Sequence, residues 1–195
     1  MTAQIRSTTF PLHEMRPSMP QDPPSDQEPA VDQPTAAQMV GRGILAGLGG
    51  TVVMTAFQKL VEMPLTGRDD SNAPAEFAEK VLSVHPGSAR SKKRLNYATH
   101  LALGTLWGAA YAIAAQKGLR GQQAVAAVFA TVYTGDVVLN TALGLYQPSS
   151  WSSRDWAIDI VDKLVQAEAT GVIFDHLLCP PPPPDPPSMP AAHQP

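Results

Sequence analysis

Apolar positions dominate three stretches of the chain. Residues 43–63 (GILAGLGGTVVMTAFQKLVEM) are uncharged from Gly43 to Gln58. Residues 95–116 (LNYATHLALGTLWGAAYAIAAQ) carry His100 as their one ionisable group of consequence. Residues 122–146 (QQAVAAVFATVYTGDVVLNTALGLY) hold a single charge, Asp136. Each is long enough to cross roughly 30 Å of hydrocarbon at about 1.5 Å per residue. A fourth stretch, 154–178, repeats Trp156, Ile160, Val161, Leu164 and Val165 as a helix would. It also contains Asp155, Asp159, Asp162, Lys163, Glu168 and Asp175.

Glycine decides between a soluble and a membrane reading of these helices. In water a helix-interior glycine costs about 1 kcal/mol relative to alanine. In lipid, small residues let backbones approach closely. Gly43, Gly47, Thr51 and Thr55 recur every four residues in the first stretch, and Gly104, Gly108 and Ala112 in the second. Gly43, Gly47, Gly104 and Gly108 are therefore the expected helix-packing residues. The expected fold is all-α, a four-helix transmembrane bundle of up-down topology with disordered Pro-rich tails. Its domains are a tail over 1–38, a membrane domain over 39–179 and a second tail over 180–195. Helices are expected at about 43–63, 95–116, 122–146 and 154–178. A soluble helical protein binding a hydrophobic ligand is the competing fold-level reading.

The connections differ in kind. KGLRG, 117–121, predicts a tight turn. SNAPAEFAEKVL, 71–82, predicts a short helix capped by Asn72, with Phe77, Val81 and Leu82 as a weak apolar face on the bilayer surface. The basic run ARSKKR, 89–94, reads as loop, and Ser153 as the cap of the last helix. Trp107, Tyr111, Tyr146, Trp151 and Trp156 suit an interfacial aromatic belt, although core packing explains Trp107 and Tyr111 equally well.

An up-down arrangement fixes the depth of every polar group. Let side A hold both ends of the domain and side B the longer loops. Lys59, Glu62, His100, Asp136, Asn140, Asp159, Asp162 and Lys163 then all fall in the B half, although their helices alternate in direction. The A halves are almost uncharged, with Asp175 and His176 at the final edge. Asp159, Asp162, Lys163 and Gln166 share one helix face, with Asp159 and Lys163 spaced to pair at i, i+4. Charges at mid-bilayer cost at least about 2.5–3.5 kcal/mol, so these groups are expected to face inward around a polar vestibule open toward B. Two uses follow. The groups pair and glue the bundle together, or the surplus carboxylates serve a small ion- or proton-coupled transporter.

Composition removes other classes. Most of the 20 prolines lie in 1–37 or 180–195, segments without hydrophobic periodicity, and the net charge of −3 arises in those tails. No basic field points to nucleic acid. Cys179 is the only cysteine, so neither a disulfide framework nor a cysteine metal site is expected. No apolar h-region is visible in 1–37. There is no G-x-S-x-G, P-loop, H-E-x-x-H or G-x-G-x-x-G, hence no expected catalytic residue, cofactor or metal. A site of His100 with Asp136 or Asp159 is a weak metal candidate. Basic residues between Arg68 and Arg94, with Arg154, put side B in the cytoplasm by the positive-inside rule.

LAGLGGTVVMT, LTGR, NYATHLALGTLWGAAYA, GLRG and NTALG, followed by Pro148, Trp151, Asp155, Asp159 and Lys163, resemble a group of small, uncharacterised bacterial multi-pass membrane proteins over about 43–175. The resemblance implies a four-helix membrane bundle and no particular substrate. The expected activity is that of a structural or partner-binding membrane module in the inner (plasma) membrane. Its expected partners are the lipid bilayer and either another membrane protein or a second copy, self-association running through the glycine stripes.

Overall fold

A computed structural model describes residues 34–180; the expected Pro-rich tail segments 1–33 and 181–195 lie outside the described residues. Those described are helical and loop, with no strand among them. Five helices form: α1, Ala36–Thr66; α2, Ala73–Leu82; α3, Ala89–Gln116; α4, Gly121–Ala142; and α5, Ser153–Val172, prolonged by a wide turn over Ile173–Leu178. Of these, α1 and α4 are long and apolar enough to cross a membrane. The basic first turns of α3 and the acidic first half of α5 set those two apart, although both have comparable length.

Several helix ends differ from expectation, and each has a local cause. α1 begins at Ala36, inside the expected tail, because Thr35 and Gln38 form a reciprocal capping box. It continues past Glu62 to Gly67, which closes it in the left-handed conformation at φ 69°. Pro64 is tolerated because the turn before it, Gln58–Glu62, widens to i→i+5 spacing and relieves the clash of the ring with the preceding turn. The run ARSKKR is the first turn and a half of α3, not a loop. Ser88 and Ser91 cap it reciprocally. α4 stops at Ala142, ahead of Gly144 at φ 72°. Ser152, not Ser153, caps α5, accepting from the Asp155 N–H while Asp155 accepts from the Ser152 N–H. Asn72 occupies the N-cap position of α2 without a side-chain cap bond; Ser71 Oγ accepts from Ala73 N instead.

The four long helices run up and down, and α1 packs between α3 and α5. The α1–α3 seam is made of glycine. A Cβ on Gly43 would collide with the Gly108 carbonyl, one on Gly47 with the Gly104 carbonyl, and one on Gly104 with Thr51 Oγ1. Both stripes therefore face each other within one chain and are not free to join two copies. The α1–α5 seam is equally close, since a Cβ on Gly50 would strike Thr170 Oγ1. Gln166 Nε2 crosses it to Thr51 Oγ1 at 2.9 Å.

Polar groups are buried beside the apolar core while many large aliphatic side chains face outward. Thr51 and Thr170 are fully buried, and Asp162, Asn140 and Gln166 nearly so. Val52, Leu60, Leu106 and Val138 point outward and are 58%, 77%, 58% and 61% exposed. Trp107 and Tyr111 belong to the core rather than to a surface belt. Tyr146, Trp151 and Trp156 do cluster at one end, with ring centroids 5.4 Å and 4.8 Å apart.

Candidate functional site

The polar residues of α1, α3, α4 and α5 meet in a cavity of about 430 Å³ at the end that carries α2. Lys59, Glu62, His100, Asp136, Asn140, Asp159, Asp162 and Lys163 all line it. Their convergence follows from geometry. α1 and α4 arrive at this end and α3 and α5 depart from it, so late positions on two helices face early positions on the others. The wide turns Gln58–Glu62 in α1 and Phe129–Tyr133 in α4 lie at this level. Such turns shift the register by one residue. They leave Glu62 and Tyr133 buried.

The cavity has a floor and a roof. On the floor Gln58 Nε2 donates to Asp162 Oδ2 at 2.8 Å. Asn140 Nδ2 donates to Asp136 Oδ1 at 2.9 Å, and Lys163 Nζ lies 3.3 Å from Asp136 Oδ2. Lys163 thus pairs across helices with Asp136, not along its own helix with Asp159. The cross-helix pairing ties α4 to α5 at the cavity end, while Gly171 packs on Val125 at the other. The roof is α2 and its leading loop. Asn96 Oδ1 accepts from Ala75 N at 3.0 Å, and Asn96 Nδ2 donates to Ser71 O at 2.9 Å. Lys92 reaches Glu79 at 3.5 Å, and Lys59 pairs with Asp70 of the loop. α2 buries Ala75 and Ala78 and turns Phe77 into the cavity wall, leaving Val81 and Leu82 exposed. Its inward face is thus made of small residues and Phe77, not of Phe77, Val81 and Leu82 together.

Charge in the cavity is unevenly matched. Lys59, Arg68, Lys92 and Lys163 each lie within 4.0 Å of a carboxylate: Asp70, Glu62, Glu79 and Asp136 respectively. Among the described residues no basic nitrogen comes that close to Asp159 or Asp162. Asp159 Oδ2, Asp162 Oδ1 and the Tyr133 hydroxyl are buried without a hydrogen-bond partner. Buried polar atoms are nearly always paired; the Tyr133 hydroxyl lies outside the cavity lining and within reach of Asp159, so the bare Asp162 oxygen on the cavity wall is the one that calls for an explanation. Among the described residues no three His, Cys, Asp or Glu side chains are arranged to hold a metal ion, and His100 gains no such partners.

A second polar cluster, at the opposite end, was not foreseen. Asp175 is 8% exposed. Its Oδ2 accepts from the Tyr111 hydroxyl at 2.6 Å and the Gly121 N–H at 3.0 Å, and its Oδ1 from Arg120 Nη1 at 2.8 Å. Arg120 also lies 5.4 Å from the Phe174 ring centroid, and Arg42 Nη1 donates to Cys179 Sγ at 3.5 Å. Asp175 thus lies at the side-A edge as its position in the chain implies, but buried and fully paired. The only signal in the sequence was an aspartate at i, i+1 with Phe174 on an otherwise apolar half-helix. Its partners come from α3 and from the α3–α4 turn, which no local pattern announces.

No family model, curated protein or solved structure matches the chain.

Proposed function

We propose that the chain is an integral membrane protein in which α1, α3, α4 and α5 all cross the bilayer, with α2 lying over one mouth of the bundle. Its role is to receive a small polar solute in the cavity beneath α2, as a carrier or membrane-bound binding module. The observation that carries this reading is a polar cavity inside a bundle whose outer surface is rich in large aliphatic side chains. Large aliphatic side chains face outward, whereas Asp136, Asp159, Asp162, Asn140 and Gln166 face inward around about 430 Å³. Water offers no reason to expose so many large apolar side chains, and lipid does. Inward orientation keeps Asp159, Asp162 and Lys163 of α5 out of lipid; its outer face carries Val161, Leu164 and Val172, with Glu168 among them held by Gln122 of α4.

A purely structural role for the polar groups is the second reading. The Lys163–Asp136 pair at 3.3 Å favours it. The two readings separate in variants of the unpaired groups. Asp159→Asn should leave folding yield intact if the group serves a solute, and should lower yield if it is glue.

The membrane reading is tested by fractionation. Cells expressing the full chain should retain it in the membrane pellet through alkaline carbonate and high salt, and release by either would overturn it. In oriented vesicles, His100→Cys in a Cys179→Ser background should react with an impermeant thiol reagent from one face only. Labelling from both faces would show that the cavity is not closed toward the other end.

A further inference from the structure

We propose that the solute is a protonated organic amine, held by Asp159 and Asp162 against an aromatic wall. This rests on the solute-binding reading above and names the chemistry of the ligand.

Four observations converge. The first is charge. Lys59, Arg68, Lys92 and Lys163 are each matched to a carboxylate. The exposed Asp69 and Lys93 at the rim have no such partner, and of the helix-borne carboxylates in the lining only Asp159 and Asp162 lack a basic nitrogen within 4.0 Å. A buried carboxylate without a partner is costly, so the site favours a cation. The second is hydrogen bonding. Asp162 is 6% exposed, and its Oδ1 lacks a donor although its Oδ2 has one in Gln58. Asp159 Oδ2 has no close donor, the Tyr133 hydroxyl being its one weak partner. An ammonium N–H supplies what both oxygens need, and a quaternary ammonium does not. The third is size. About 430 Å³ falls in the range of small-molecule sites and far exceeds a bare ion. The donor set for a metal is also missing among the described residues. The fourth is the wall. Tyr97, Trp107 and Tyr146 line the same cavity. Aromatic faces attract cations and also accommodate the hydrocarbon of an organic amine.

The test uses the full chain purified in detergent, read by thermal unfolding and by tryptophan emission, since Trp107 lines the cavity. The probes are 2-phenylethylammonium and n-butylammonium, with 2-phenylethanol, tetramethylammonium, acetate and glycerol as controls. The expected result is a saturable rise in unfolding temperature with both ammonium probes, absent with 2-phenylethanol and at least about tenfold weaker with tetramethylammonium. Asp162→Asn should weaken the response by about tenfold or more. Glu168→Gln makes the same charge change on α5 outside the cavity, where Glu168 accepts from Gln122, and should leave it unchanged. If acetate or glycerol binds saturably and the amines do not, the amine assignment is overturned and the solute-binding reading stands. If no probe binds while Asp159→Asn lowers folding yield, both fall and the polar groups are structural. Should Asp162→Asn fold poorly, Tyr97→Leu replaces it, and an unchanged amine affinity there would also overturn the proposal.

Discussion

Asp162 and Asp175 lie on α5 and its extension, roughly 20 Å apart along the axis at about 1.5 Å per residue, and are almost equally buried at 6% and 8%. Their surroundings differ completely. Asp175 has donors on both oxygens, supplied by a hydroxyl, a backbone amide and a guanidinium. Asp162 has one donor, from Gln58, and one bare oxygen. Around Asp175 the neighbours pack closely: Tyr111 and Phe174 are fully buried with ring centroids 5.3 Å apart. Around Asp162 there is a cavity. Burial alone therefore does not tell a structural carboxylate from one kept for a ligand. The state of its hydrogen bonds does, because a fully satisfied network rigidifies and a partly satisfied one is destabilising until something completes it.

The comparison breaks most visibly at Asp175. Asp175→Ala should cost about 3 kcal/mol, since it strands three donors, one of them charged, at the junction of α3, α4 and α5. Unfolding in detergent by urea or heat measures it. A loss no larger than that of Asp162→Ala would erase the distinction between the two ends.

Next in size is the seam that joins those ends. Gly108→Val should cost about 1–3 kcal/mol, because a Cβ there meets the Gly43 carbonyl and neither backbone can yield. Both polar clusters should loosen together, seen as faster amide exchange at α5 on either side of Gln166. Gly135→Ala is the control. It has open space around it, and should be neutral or stabilise by about 0.5–1 kcal/mol.

These contrasts also show what the residue pattern can carry. The long helices are legible because apolar runs and glycine stripes are periodic, and the eight cavity residues because alternating helix direction sets their depth. Gly43, Gly47, Gly104 and Gly108 are legible as packing residues, but not their partners: one stripe looks the same whether it meets its own chain or another copy. Asp175 is illegible because its three donors lie on α3 and in the α3–α4 turn. The choice of Asp136 over Asp159 by Lys163 depends on the distance between α4 and α5, which an i, i+4 rule does not see. The start of α3 at Ala89 is hidden because a run of basic residues resembles a loop, and the caps that mark it, Ser88 and Ser91, are ordinary serines. Three widened turns, at Gln58–Glu62, Phe129–Tyr133 and Ile173–Leu178, shift register without any glycine to announce them.

The roof of the cavity offers a smaller effect. Asn96→Ala removes both bonds that fix the start of α2, at 3.0 and 2.9 Å. It should cost about 1 kcal/mol, confined to α2. Hydrogen exchange should quicken in α2 and remain unchanged in α5. Equal changes in both would mean that α2 is part of the bundle core and not a cover over its mouth.

The smallest effect on stability is the most informative. Asp162→Asn should change the unfolding free energy by less than about 1 kcal/mol, and in the stabilising direction. The amide keeps an acceptor for Gln58 and removes a buried charge that no basic nitrogen approaches within 4.0 Å. The same substitution at Asp175 takes the charge from the Arg120 pair and cannot be neutral. Paired unfolding curves of the two variants, in one detergent and at one pH, read the sign directly. If Asp162→Asn is as damaging as Asp175→Asn, then the carboxylate at the cavity floor is already satisfied in the resting protein, and the cavity holds no vacancy for a cation. If it stabilises the fold while abolishing the amine response, stability has been given up locally at Asp162 for binding, and the difference between the two ends of α5 is a difference of purpose.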